Sequence, residues 1–336
     1  MSEFSIGDLA YGFMLRRQNT DLKQSLTRLT TEMASGVAVD TAAHLSGRFE
    51  LLSGFERSYT LLETYRVSAS EAGTAAGVMQ TALGTVADQT AALTDRLVPA
   101  SSAVTSTSLE TTAQTARGNL DAMISALNTS IGGRALFSGT LVSGRPLSGS
   151  DTLLDELRTN VSGLTTSADI LAAADNFFDT PGGDFETMIY QGGNENLAPR
   201  ELGSGETVRL DIRADDPILR SAMKVAAVAA LVDDPALAFD PGEAQELLTR
   251  LTEQSVAAQS GVTALRADLG YAEERIEGAS ARIAAEIASV DLARRELVSV
   301  DPYQTATELE AVQIQIETLY TLTARSSRLS LVNFLS

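Results

Sequence analysis

The chain has 336 residues, 44% of them hydrophobic, which is enough for two or three domains with a sizeable core and excludes general disorder. Its formal net charge of -19, from 44 acidic against 25 basic residues, repels phosphate backbones and anionic membrane surfaces, so neither nucleic acid nor membrane is expected as a partner. Cysteine is absent, which excludes disulfides, thiolate metal sites and a Cys nucleophile.

Aromatic residues make up only 5% and Trp is missing, a balance that suits long helices packed through small side chains. Residues 1–18 carry Glu3 and Asp8 and lack a continuous apolar run, so no cleavable secretion signal is read there. From Leu22 the positions Leu22, Leu26, Leu29 and Met33 step by four, three and four, the seam of a helix that meets another helix. Ser35-Gly36 should stop it. A second helix carries Leu52, Phe55, Tyr59 and Leu62 and continues through Ala69, Ala76, Met79, Leu83 and Val86. The Pro, Ser and Thr content of 99–108 predicts a turn.

Leu109, Ala113, Ala116, Leu120, Met123, Leu127 and Ile131 then mark the clearest helix of this half, with an end expected at Gly132-Gly133 and an irregular connector over 134–140. Between 141 and 216 glycine-bearing turns break the pattern into a mixed insert. Helices are predicted over 152–160 and 168–177, and strands over 185–190 and 207–213, the latter from the alternation of Val208, Leu210 and Ile212.

Asp215-Asp216-Pro217 has the chemistry of a helix cap followed by a first turn, and Asp233-Asp234-Pro235 repeats the signal. Between them the longest apolar run, 225–232, is far too short to span a bilayer. From Glu243 a long helix carries Leu269, Ile276, Ile283, Val290 and Leu297 every seven residues, a spacing shared by coiled coils and by the core of an ordinary monomeric bundle. Asp301-Pro302 should break or kink it. A final helix then carries Leu309, Val312, Ile316 and Leu319, and ends with Leu331, Phe334 and Leu335.

The fold class read from these elements is mainly α: a terminal helical coiled coil formed by 1–36 and 301–336, a helical bundle formed by 37–140 and 217–300, and a small mixed α/β insert at 141–216. The eleven seam positions Leu22, Leu26, Leu29, Met33, Leu309, Val312, Ile316, Leu319, Leu331, Phe334 and Leu335 form the candidate assembly interface.

No catalytic constellation stands beside it. His44 is the only histidine and has no orienting partner in sequence, and the Asp pairs lack the alternating oxygen ligands of a calcium loop. The glycines of 132–139 lack a Gly-Lys-Ser/Thr ending, and Glu273, Glu274 and Glu277 alternate with Arg275 and Arg282 as a solvated helix face does. No enzyme activity, cofactor or metal is expected.

Three stretches carry a resemblance to a known family: Gly132-Gly133-Arg134-Ala135-Leu136-Phe137-Ser138-Gly139-Thr140; Tyr190-Gln191-Gly192-Gly193-Asn194 with Gly205-Glu206-Thr207-Val208; and Leu329-Ser330-Leu331-Val332-Asn333-Phe334-Leu335. They resemble the flagellin and hook-associated family of bacterial flagella, the first two being nearer its hook-associated branch than its filament flagellins. The chain departs from that pattern at Ser35-Gly36-Val37-Ala38-Val39-Asp40, where a basic residue and an acidic pair before proline are usual.

The resemblance implies a structural role at the junction of hook and filament, through self-association into a helical ring or tube. It implies hook-associated protein 1 and flagellin as neighbours, an export chaperone, and export through the flagellar type III apparatus to the outside of the cell. A filament flagellin is the alternative within the family, and a cytosolic helical adaptor the alternative outside it.

Overall fold

The computed structural model describes residues 6–235, 237 and 240–335, with the side chains of 6–9 and 326–335 outside the description. Helices dominate: α1 (Ile6–Ser35), α2 (Thr41–Leu45), α3 (Phe49–Ser102), α4 (Ser106–Leu127), α5 (Ser150–Val161), α6 (Ser167–Asp179), α7 (Pro217–Ala230), α8 (Pro241–Val298) and α9 (Pro302–Leu335). Two small antiparallel pairs accompany them, β1 (Ser130–Ile131) with β2 (Arg134–Ala135), and β3 (Arg200–Gly203) with β4 (Glu206–Val208). The mainly α class is therefore correct, with strands reduced to short hairpins.

The chain divides into two compact units. One is Met1–Glu63 with Ala285–Ser336, and the other is Thr64–Ala284.

In the first unit α1 packs along α9, joining opposite ends of the chain. Gly36 ends α1 with a positive φ of 70° and an N–H bonded to the Glu32 carbonyl at 2.8 Å. Asp301 starts α9 by accepting the Tyr303 N–H at 2.8 Å, with Pro302 filling the first helical position where no N–H is needed. Here the expected break at Asp301-Pro302 falls between two helices. Close by, Arg294 pairs with Glu56 at 3.2 Å and lies 5.9 Å from the centre of the Tyr59 ring.

The second unit has its core around α7, whose residues from Ala222 to Ala230 are all buried, Lys224 included. The run 225–232 thus forms the last turns of α7 and the turn after it, apolar on every side because α4 and α6 cover the helix, with α5 adding a third contact. Asp216 caps α7 by accepting the Ile218 N–H at 2.8 Å, as the Asp-Pro signal predicts. Phe177 and Phe178 meet edge to face with ring centres 5.1 Å apart, and Phe185 lies tilted against Phe178 at 5.3 Å.

Along α3 and α8, small and polar side chains meet. The Thr94 and Ser255 hydroxyls lie 2.6 Å apart, and the Gln80 amide donates to the Arg266 carbonyl at 3.2 Å. On α8 the seven-residue repeat has Leu269, Ile276 and Ile283 buried and Val290 and Leu297 half-buried.

Several local expectations are corrected. The turn predicted over 99–108 shrinks to the few residues between Ser102 and Ser106, because α3 runs through Pro99 and the capping box of Thr105 and Ser108 starts α4 at once. Helix α4 ends at Leu127 rather than at Gly132, since the Asn128 side chain both donates to the Leu147 carbonyl (3.1 Å) and accepts its N–H (2.9 Å). Gly132-Gly133 instead forms the two-residue loop between β1 and β2, with φ of 57° and 79°, the signs a type I′ hairpin turn requires.

The strand predicted over 185–190 is a π-helical turn, Phe185–Ile189, because its buried residues Phe185 and Ile189 are spaced by four rather than two. The strand predicted over 207–213 is only Glu206–Val208, paired with the unpredicted β3. Asp233-Asp234-Pro235 lies in a turn, and α8 begins later, at Asp240-Pro241.

Candidate assembly interface

The seam between α1 and α9 follows from two helical stripes facing each other. Leu29 and Leu319 are buried, whereas Leu22, Leu26, Leu309, Val312 and Ile316 are half-buried along the same pairing. Met33 stands apart at 46% exposure, and the inward position of that turn is taken by Glu32, which is 4% exposed. After Leu29 the inner face advances by three residues instead of four, so a carboxylate rather than a thioether reaches the interior. The side-chain expectations for Leu331, Phe334 and Leu335 lie outside the described residues.

Glu32 is anchored on both oxygens. Arg28 donates to one at 2.8 Å and the Val39 N–H to the other at 3.0 Å. The carboxylate thereby ties the connector after α1 back onto the helix, which satisfies a buried charge that would otherwise be costly. Thr305, likewise buried, returns its hydroxyl to the Asp301 carbonyl at 2.8 Å. Neither Glu32 nor Thr305 was legible in an apolar stripe. The signal that could have found Glu32 is its spacing of four from Arg28.

A second set of apolar residues on these helices faces away from the seam. Tyr11, Phe13 and Met14 on α1, and Ile314, Tyr320 and Leu322 on α9, are all exposed. Large side chains left uncovered on both members of a helix pair mark a surface available for association.

In the other unit, the glycine-bearing stretches singled out in the sequence interlock. The Gly193 N–H donates to the Ser138 carbonyl (2.7 Å), the Thr140 N–H to the Glu195 carbonyl (3.0 Å), and the Ala214 N–H to the Phe137 carbonyl (2.9 Å). Arg213 clamps the group through Asp215 at 2.7 Å and the Asn194 carbonyl at 2.9 Å. Backbones approach so closely that a Cβ on Gly139 would lie 2.7 Å from the Gly193 carbonyl oxygen. The clasp therefore joins both ends of the segment 141–212 and explains why glycine recurs there.

Burial pushes the Tyr190 phenol up to about 12, with Asp215 adding to the shift, and its hydroxyl donates to the Gly193 carbonyl at 2.9 Å. Burial pulls the Lys224 ammonium down, but Asp175 and Asp179, at 2.7 and 2.6 Å, outweigh it and the net shift is upward. Tyr190 thereby secures the turn at Gly193, and Lys224 ties α7 to α6. His44 lines an open groove beside Glu32, Asp40 and Glu308, and no grouping suited to a metal ion occurs among the described residues. No helix among them is long and apolar enough to cross a membrane.

The fold and the paired ends define a mainly helical protein. Residues 253–335 match the family model of the bacterial flagellin C-terminal helical region, a span that takes in most of α8 and all of α9. Among solved structures, a protein of Vibrio parahaemolyticus described as flagellar hook-associated superposes with a TM-score of 0.53 at 14% identity, over 73% of this chain and 95% of that one. FlgL of Bacillus cereus superposes with a TM-score of 0.51, also at 14% identity, over 70% of this chain and 96% of its own. These two likenesses are of fold. No curated protein matches the chain in sequence.

Proposed function

We propose that this chain is a structural subunit of the bacterial flagellum, equivalent to hook-associated protein 3, that joins the hook to the flagellin filament. The observation that carries the reading is the pairing of α1 with α9, which brings the two ends of the chain together while Phe13, Met14, Ile314 and Leu322 stay uncovered. A helix pair with one face satisfied and another bare gains stability when neighbouring copies cover the bare face. Self-association into a ring or tube then runs through the bare faces of α1 and α9, while the seam residues Leu22, Leu26, Leu29, Leu309, Val312, Ile316 and Leu319 hold the two helices together beneath them. The flagellin-type segment and the hook-associated structural neighbours support it.

In this role the chain is exported by the flagellar type III apparatus with the help of a chaperone, stands on hook-associated protein 1, and receives flagellin above. The insert, 141–216, faces outward from the helical bundle. The flagellin-type C-terminal segment also favours a second reading, a filament subunit.

Electron microscopy of cells lacking the chain separates the two. Bare hooks with flagellin shed into the medium are expected. Full-length filaments in those cells would sink the junction role, and loss of the filament's bulk protein from sheared preparations would favour the filament reading.

A further inference from the structure

A groove of about 340 Å³ runs beside the Gly132-Gly133 hairpin, with Ser70, Thr74 and Ala75 of α3 on one side and Ile131, Arg134 and Leu136 on the other. Arg134 stands exposed at its rim and forms no ion pair among the described residues, whereas Arg200 on the same rim is balanced by Glu71 at 3.0 Å, so the uncompensated charge of the rim is that of Arg134. In a chain of net charge -19, two copies approaching through arbitrary faces repel each other. An apolar groove edged by arginine is a place where a second acidic copy meets attraction instead.

The complementary surface is on the same unit. Further along α3, Asp88, Ala92, Asp95, Val98 and Pro99 form one exposed strip, and neither aspartate has an ion-pair partner among the described residues. Its two carboxylates bracket a small residue and are followed by apolar ones, the chemistry that an apolar groove with a cationic rim accepts.

We infer that this groove takes the Asp88 to Pro99 strip of a second copy of the chain, with Arg134 pairing with its aspartates. The inference rests on the assembly reading above and adds to it a lateral contact. Because groove and strip are different patches, the contact is heterologous, and repetition generates a ring or a helix rather than a closed dimer. Groove and strip are separated by about 20 residues of α3, so parallel neighbours are staggered by about 30 Å.

The absence of cysteine makes the test clean. Full-length Thr74→Cys and Ala92→Cys chains, both at exposed positions, are mixed under assembling conditions and treated with a short thiol cross-linker. A mixed 74-to-92 product is expected in excess over either homodimer. In parallel, Arg134→Glu is expected to weaken association about tenfold or more, and mixing it with an Asp88→Arg, Asp95→Arg chain should restore it.

A wild-type chain that never associates removes the assembly reading and this contact together. A wild-type chain that assembles without the 74-to-92 product, or an Arg134→Glu chain that assembles as well as wild type, overturns this contact alone. Should Arg134→Glu fail to fold by circular dichroism, the cross-link, made with Arg134 intact, decides.

Discussion

Val37 pairs with Ser299 in an isolated antiparallel bridge, flanked by hydrogen bonds from the Ala38 N–H to the Val298 carbonyl (3.0 Å) and from the Val300 N–H to the Gly36 carbonyl (3.1 Å). The connector leaving α1 is thereby fastened to the connector entering α9, at the end of the seam where Glu32 is buried. A terminal helix pair so joined at one end is held in register there, and relies on side-chain contacts alone further out.

Glu32→Ala should loosen that fastening. It removes the hydrogen bonds from the Val39 N–H and from Arg28, both on exposed residues that water can solvate, at a cost of about 0.5–1.5 kcal/mol. Amide exchange at Gly36 to Val39 and along the last turn of α1 is expected to accelerate, while α7 keeps its protection. Unchanged exchange at Val39 would show that the carboxylate holds nothing.

The terminal helices bury one face only, so in a monomeric sample amide protection in 15–33 and 309–329 should fall well below that of α7. Assembly should raise it. Protection in the free monomer equal to that of α7 would contradict the proposal that neighbouring copies complete these helices.

Ile316→Asp puts a charge into the half-buried seam, where an unpaired carboxylate is costly. Incorporation at the hook tip should be lost while the thermal transition of the Thr64–Ala284 unit is kept. Normal filaments in this variant would count against the seam.

Gly139→Ala should destabilise the second unit by at least about 2 kcal/mol, because it combines a left-handed backbone with a collision against the Gly193 carbonyl oxygen. A denaturant titration that leaves the midpoint unchanged would refute the clasp as a rigid element.

Alkaline pH should weaken the same unit. Tyr190 ionises at about 12 in the folded protein against an ordinary value of 10.0, so its contribution is complete below about pH 10 and is lost as pH rises through about 12. Lys224, also shifted upward, acts in the same direction. Tyr190→Phe should flatten the pH dependence between about 10 and 12, while losing about 0.5–1.5 kcal/mol at neutral pH with the hydrogen bond to Gly193. Equal alkaline slopes in wild type and variant would rule out this origin.

The helices were legible wherever one periodic signal was repeated over many residues. Leu269, Ile276 and Ile283 announce α8, and Asp216-Pro217 announces α7, because spacing and capping are local chemistry that the chain carries wherever it folds. The same logic failed over short spans. Phe185 and Ile189 read as strand residues until the surrounding core selects a π-helical turn, and Gly132-Gly133 reads equally as a helix stop or a hairpin.

By itself, then, the amino-acid order determined a mainly helical chain with apolar stripes at both ends. Only the tertiary structure decided that Glu32 rather than Met33 turns inward, that the glycine stretches around Gly139 and Gly193 close on each other, and that β3 exists at all. The reason is distance along the chain: periodicity needs only neighbours within a turn or two, whereas a buried carboxylate, a backbone clasp and a strand partner depend on groups far away in sequence that folding brings within hydrogen-bonding reach.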